Sequence, residues 1–130
     1  MIVVDASAIL AILLHEPDGE ALKSALFASG GGVMSPVNHW EVLVRAKTAV
    51  GEEGRGLAEE LISTLGIVTS PAGADDARRA ADAFERFGKH TPAKLNLGDC
   101  FAYALAVKEG QGLLYKGDDF PKTDVVSALD

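Results

Sequence analysis

The feature that most constrains how this chain folds is the rhythm of its apolar segments. Ile2-Val3-Val4, Val33-Met34, Ile67-Val68-Thr69 and Leu113-Leu114-Tyr115 are too short for helices, and helix-length segments separate them. Strands joined through helices pair in parallel, with the helices covering both faces of the sheet. Such a sheet is buried on two sides, which explains why these runs are apolar throughout and do not alternate. The expected class is α/β, built on one parallel sheet.

The intervening segments carry helix punctuation. Residues 6–14 form a compact apolar helix, Glu16-Pro17-Asp18-Gly19 breaks it, and residues 20–28 read as a second, amphipathic helix. Gly30-Gly31-Gly32 is a loop and not a phosphate loop, since no Gly-Lys-Ser/Thr follows it. Ser35-Pro36 supplies a cap and a first-turn proline for a helix that reaches Val50. Residues 55–65 and 75–87 are further helices, the latter with Ala77, Ala80, Ala81, Phe84 and Phe87 on one side. Asn96 caps a nearly all-apolar helix over residues 97–108, and Val125-Val126 is a candidate last strand.

A length of 130 residues fits a single domain spanning 1–130. A domain of this size buries about two-thirds of its unfolded surface and needs no disulfide or structural metal. The one cysteine, Cys100, fits a reducing cytoplasm. No apolar run approaches the roughly 20 residues of a bilayer span. Residues 1–4 are cut short by Asp5 and read as a strand, not a signal peptide. A cytoplasmic chain without membrane attachment is the expectation. The net charge of −7 disfavours an ordinary phosphate binder. Clustered acids that hold divalent cations escape that exclusion, because the ions invert the local potential.

Most acids, among them Glu52, Glu53, Glu59 and Glu60, lie between polar neighbours and read as solvated. Four places differ. Asp5 ends the first strand, at the edge where open α/β sheets bind ligands, and serves equally as a helix cap. Glu41 interrupts an apolar helix between Val37 and Val44, with an i,i+4 pair to Arg45, worth about 0.3–0.5 kcal/mol, as its structural alternative. Asp99 stands in the first turn of the buried helix, where it also completes a capping box with Asn96. Asp118 and Asp119 follow the strand Leu113-Leu114-Tyr115 in a turn that favours Asp for its own reasons. If the strands are parallel and adjacent, all of these acids meet at one edge of the sheet.

Like charges gathered there raise one another's pKa unless a cation offsets them. Mg²⁺ suits such a site, being held by few carboxylates plus water and substrate phosphates. One or two ions could activate a water and stabilise a leaving oxygen in phosphodiester hydrolysis. No His or Cys pattern offers a competing zinc site.

Asp5-Ala-Ser, Asn38-His-Trp-Glu41, Leu97-Gly-Asp99 and Leu114-Tyr-Lys-Gly-Asp-Asp-Phe120 followed by Thr123-Asp124 resemble, in order and over essentially the whole chain, the PIN-domain ribonucleases. Their wording is most similar to the VapC toxins of type II toxin–antitoxin pairs. The resemblance implies a doubly wound three-layer α/β/α sandwich and an endoribonuclease dependent on Mg²⁺, with Mn²⁺ as a substitute. It implies tRNA or rRNA as substrate, a cognate VapB-like antitoxin, a homodimer and a larger toxin–antitoxin complex. Carried over residue by residue, the catalytic and metal-binding acids are Asp5, Glu41 and Asp99. A fourth falls on Asp118 or Asp119, according to whether the strand or Phe120 sets the alignment. Ser7 matches the small hydroxyl that orients the first acid or a metal-bound water, and Thr123 and Asp124 match a supporting tail motif.

Other reactive or aromatic residues are read more plainly. Cys100 is a small buried hydrophobe, Trp40 is core by its spacing from Val37 and Val44, and His39 is packed or solvated. His15 and His90 have no evident partner. Lys89, Lys94, Lys116 and Arg45 are the candidate phosphate contacts. The alternatives to a toxin are a PIN-type RNA-processing nuclease, a catalytically inactive binding domain and a receiver-like signalling domain. A receiver needs paired acids after the first strand and an Asp after the third, and Ile67-Val68-Thr69-Ser70 ends without one.

Overall fold

The computed structural model describes residues 1–129. Among them the chain runs β1 (Ile2–Val4), α1 (Ala6–Leu13), α2 (Gly19–Ser29), β2 (Gly32–Met34), α3 (Pro36–Val50), α4 (Gly54–Thr64), β3 (Ile67–Thr69), α5 (Ala74–Phe87), α6 (Leu97–Glu109) and β4 (Leu113–Leu114), then a 3₁₀ turn at Phe120–Lys122. The sheet has the order β3-β2-β1-β4, and every pairing is parallel.

Alternation along the short strands divides the core into two layers. Val4, Met34, Ile67 and Leu114 pack with buried residues of α1, α2, α3 and α4, whereas Val3 and Leu113 pack with α5 and α6. Successive residues of a strand face opposite sides of the sheet, so β1, β2 and β4 serve both layers. The edge strand β3 buries only Ile67 and leaves Val68 exposed, against the expectation of a sheet covered on both faces throughout. This is the expected three-layer α/β/α sandwich. α1 is buried along nearly its whole length, which accounts for its lack of a polar face.

The order of the strands locates the crevice. After β1 the chain steps outward through β2 to β3, then crosses to lay β4 on the other side of β1. The direction of winding therefore reverses between β1 and β4, and ligands bind above the carboxyl ends of strands at such a reversal. Asp5 leaves β1 at this point, and the turn with Asp118 and Asp119 follows β4. α3 begins just after β2, with Ser35 Oγ accepting the Val37 N–H at 3.1 Å. The α6 N-terminus is capped by Asn96.

Two expectations need correction. Trp40 is not core: it is 63% exposed, and Val44 is exposed with it. The buried stripe of α3 is instead Asn38, Val42 and Ala46, so a polar residue marks the inner face and hides the true phase from a reading of apolar spacing. Val125-Val126 is not a strand. The chain returns beside β4 through one bridge, with Leu113 N–H donating to Val126 O at 2.8 Å and Ala128 N–H to Leu113 O at 2.9 Å. No helix among the described residues is long and apolar enough to cross a membrane.

Candidate active site

Asp5 is both a cap and something more. Its Oδ2 accepts the Ser7 N–H at 3.0 Å and the Ser7 hydroxyl at 2.6 Å, which fixes the start of α1. The residue is only 4% exposed, and its Oδ1 is buried without any hydrogen-bond partner among the described residues. A cap needs one oxygen, and the second is buried without a donor. Burial raises the Asp5 pKa to about 7; the charges of Asp99 and Glu41 push the same way and the Ser7 hydrogen bonds oppose it.

Glu41 reaches this neighbourhood from α3. Its side chain is 20% exposed, and burial holds its carboxyl above the usual range. Arg45 stands 3.9 Å away, at the long limit of an ion pair. Asn38, one turn earlier and fully buried, donates from Nδ2 to the Gly98 carbonyl at 3.0 Å and more weakly to Glu41 Oε1 at 3.4 Å. That side chain joins the helix layers on opposite faces of the sheet. Gly98 completes the contact: a Cβ there would lie 2.5 Å from Glu41 Oε1. The absence of a side chain at residue 98 lets the Glu41 carboxylate lie against α6.

Asp99 follows in the first turn of α6. Its Oδ2 accepts the Asn96 N–H at 3.0 Å and Asn96 Oδ1 accepts the Asp99 N–H at 2.9 Å, so the capping box is formed. Capping alone would lower its pKa, yet burial raises it, helped by the charge of Asp119. Asp5, Glu41 and Asp99 thus share one electrostatic neighbourhood, and the charge of the exposed turn acid Asp119 reaches Asp99.

These residues fit a divalent cation. Asp5 presents a buried oxygen without a donor, and it lies among carboxylates that burial already holds above their usual range. Hard oxygen donors of this kind suit Mg²⁺ or Mn²⁺. Among the described residues no three His, Cys, Asp or Glu side chains stand close enough together to hold an ion by themselves, so an ion here would depend on water and substrate oxygens for most of its shell.

Several readings of single residues change. His39 is neither core nor free: its Nε2 meets Glu59 Oε1 at 2.5 Å and its Nδ1 meets Thr69 Oγ1 at 2.9 Å, tying α3 to α4 and β3. Glu59 is therefore engaged, not merely solvated. Lys116 is held by Glu16 at 2.6 Å and Asp18 at 3.5 Å, which removes it from the open cations. His90 does have partners, the Phe84 ring and the Glu85 carbonyl. Asp124 accepts from the Tyr103 hydroxyl and Arg86, bracing the tail against α5 and α6. Cys100 is buried, and its thiol is pushed up to about 11, which leaves it inert. Asn38 and Gly98 went unassigned in the sequence because their roles are contacts across layers; the one local hint was Asn three residues before Glu41 on a helix.

The PIN-domain family model matches residues 2–126. The chain belongs to the PIN-domain family. Within it, this PIN-domain protein is 40% identical to Ribonuclease VapC42 of Mycobacterium tuberculosis H37Rv over 95% of each chain. It is 38% identical to Ribonuclease VapC of Mycolicibacterium smegmatis, over 96% of this chain and 98% of the relative. A VapC ribonuclease of Rhizobium meliloti is also 38% identical, over 94% of this chain. These relatives make it a VapC-type member, and the receiver alternative falls with that. The crystal structure of Mycobacterium tuberculosis VapC20 superposes with a TM-score of 0.78 over 97% of each chain at 18% identity, sharing the fold.

Two outcomes follow from this PIN-domain site. Gly98→Ala meets the movable end of Glu41 and not backbone. Activity on RNA should fall by on the order of tenfold or more while the urea midpoint stays within the change expected of a surface substitution. Unchanged activity would contradict the packing of Glu41 on α6. The second outcome concerns pH. Between the ordinary Asp value of 3.8 and about 7, folded Asp5 keeps a proton that the unfolded chain has lost. Stability without metal should therefore fall as pH rises through that window. Urea unfolding in EDTA at pH 5 and pH 8 should show this slope in the wild type and a weaker one in Asp5→Asn; equal slopes would contradict a desolvated Asp5.

Proposed function

We propose that this VapC-type chain is one cytoplasmic domain acting as a Mg²⁺-dependent endoribonuclease toxin, with Mn²⁺ as a substitute, that hydrolyses phosphodiester bonds of tRNA or rRNA. The observation that carries the metal dependence is the buried, unpartnered Oδ1 of Asp5 among other desolvated acids. When bound, the ion supplies a water of lowered pKa and charge to stabilise the leaving oxygen. Asp5, Glu41 and Asp99 hold it, and Asp119 is favoured over Asp118 as the fourth acid because its charge reaches Asp99. Ser7 commits Asp5 Oδ2, so Oδ1 is the oxygen that would be free to hold an ion.

Cations at the rim position the RNA backbone. Arg45 is mostly exposed beside Glu41, and the charge of Lys89 reaches Asp99. Phosphate contacts of this kind fix register without reading bases, which suits recognition of a folded RNA by shape. The structural neighbour VapC20 is described as a sarcin–ricin loop cleaving toxin, and this supports structured RNA as the substrate class. A VapB-like antitoxin, a homodimer and a larger toxin–antitoxin complex complete the reading.

The test is cleavage of total tRNA and ribosomal RNA by the purified chain, with new 5′ ends mapped. We expect discrete cuts with Mg²⁺ or Mn²⁺, none with EDTA, and loss to background in Asp5→Asn and Asp99→Asn. Cleavage that persists in EDTA, or in a folded Asp99→Asn protein, would overturn the carboxylate–metal reading.

A further inference from the structure

We propose that Lys116 is a positioning residue, whose ammonium, gripped by Glu16 and Asp18, holds the loop after β4 so that its backbone N–H sets the Ser7 hydroxyl and thereby the Asp5 carboxylate. The inference rests on the metal-site reading above and adds to it residues on the α1–α2 connection, which no acid of the site touches.

The relay can be followed atom by atom. Lys116 N–H donates to Ser7 Oγ at 2.9 Å. An N–H can only donate, so the Ser7 oxygen accepts there and its own hydrogen is free to go elsewhere. Asp5 Oδ2, at 2.6 Å, takes it. Oδ2 is then satisfied by both Ser7 donors, and Oδ1 is the oxygen left over for an ion. With the Lys116 N–H displaced, the hydroxyl rotor is no longer fixed, and the Asp5 carboxylate loses the bond that selects its orientation.

What fixes Lys116 is its own side chain. The loop just beyond it bends through Gly117 at φ 123°, a conformation that side-chain-bearing residues rarely adopt, and then carries Asp118 and Asp119. Residue 116 is the second after the sheet's last strand, and residues 116–119 are exposed. Its Nζ spans to Glu16 Oε2 at 2.6 Å and Asp18 Oδ1 at 3.5 Å. Asp18 Oδ1 is itself buried without a hydrogen-bond donor, so the ammonium is its counter-charge. The Glu16-Pro17-Asp18 turn, rigidified by its proline, thus anchors the acid-bearing loop from outside the site. Metal sites generally depend on such outer groups to orient their ligands.

The sign of the effect separates positioning from plain electrostatics. Lys116 is a positive charge near a cation site, so removing it by Coulomb effects alone would tighten metal binding. Loss of positioning does the reverse. The experiment measures Mn²⁺ affinity of the full chain by electron paramagnetic resonance of the free ion, with thermal unfolding as the check on folding. Lys116→Met keeps the aliphatic stem and should bind Mn²⁺ on the order of tenfold more weakly than wild type. Lys116→Arg should recover most of that loss, and Glu16→Gln should fall between. Unchanged or tighter Mn²⁺ binding by a folded Lys116→Met overturns the inference. If that variant does not fold, wild-type affinity in Glu16→Gln overturns it equally. A wild-type chain that binds no Mn²⁺ overturns the metal site itself, a result distinct from failure of the relay.

Discussion

A carboxylate removed from water must either stay protonated or find a cation, and the surroundings of Asp5 follow from that requirement. The carboxyl end of β1 is an enclosed position at the sheet's edge, beneath the reversal of winding between β1 and β4. One oxygen of Asp5 starts α1 and is satisfied by Ser7; the other meets no donor. Neighbouring Glu41 and Asp99 deepen the electrostatic cost and do not relieve it. A divalent ion bound there would turn this arrangement from a liability into a binding site, with the desolvated acids available to it as ligands.

The fold brings these acids together by three routes. β1 delivers Asp5 directly. α3 and α6 belong to opposite layers, and they meet over the sheet edge where Asn38 donates to the Gly98 carbonyl. That single bond, with the bare Cα of Gly98, sets how near Glu41 comes to α6. The acidic balance of the chain is consistent with work on RNA for the same reason. With a cation bound among the acids, attraction to phosphate would need little beyond that ion and a few basic side chains, and the rest of the surface could stay anionic.

Strands of two or three residues flanked by capped helices were legible in the sequence because their signals are local. Ser35-Pro36, Asn96 with Asp99, and the apolar runs at 2–4 and 67–69 each state their own structure. The acids could be ranked because each interrupts an apolar segment. What could not be read depends on partners far away in the chain. Trp40 was misplaced because the inward stripe of α3 is led by Asn38, whose burial makes sense only with Gly98 beside it, 60 residues later. Lys116 looked like a free cation because Glu16 and Asp18 precede it by about a hundred positions. Which turn acid adds its charge to Asp99 is likewise a long-range matter, and Asp119 does so from 20 residues on.

Carboxyl-carbon NMR of Asp5 reads the protonation of this side chain directly. In metal-free protein the Asp5 resonance should titrate with a midpoint near 7. Saturating Mg²⁺ should drive that midpoint down by several units, since the ion competes with the proton for the same oxygen. A midpoint near the ordinary 3.8 without metal, or one that Mg²⁺ leaves in place, would contradict the account.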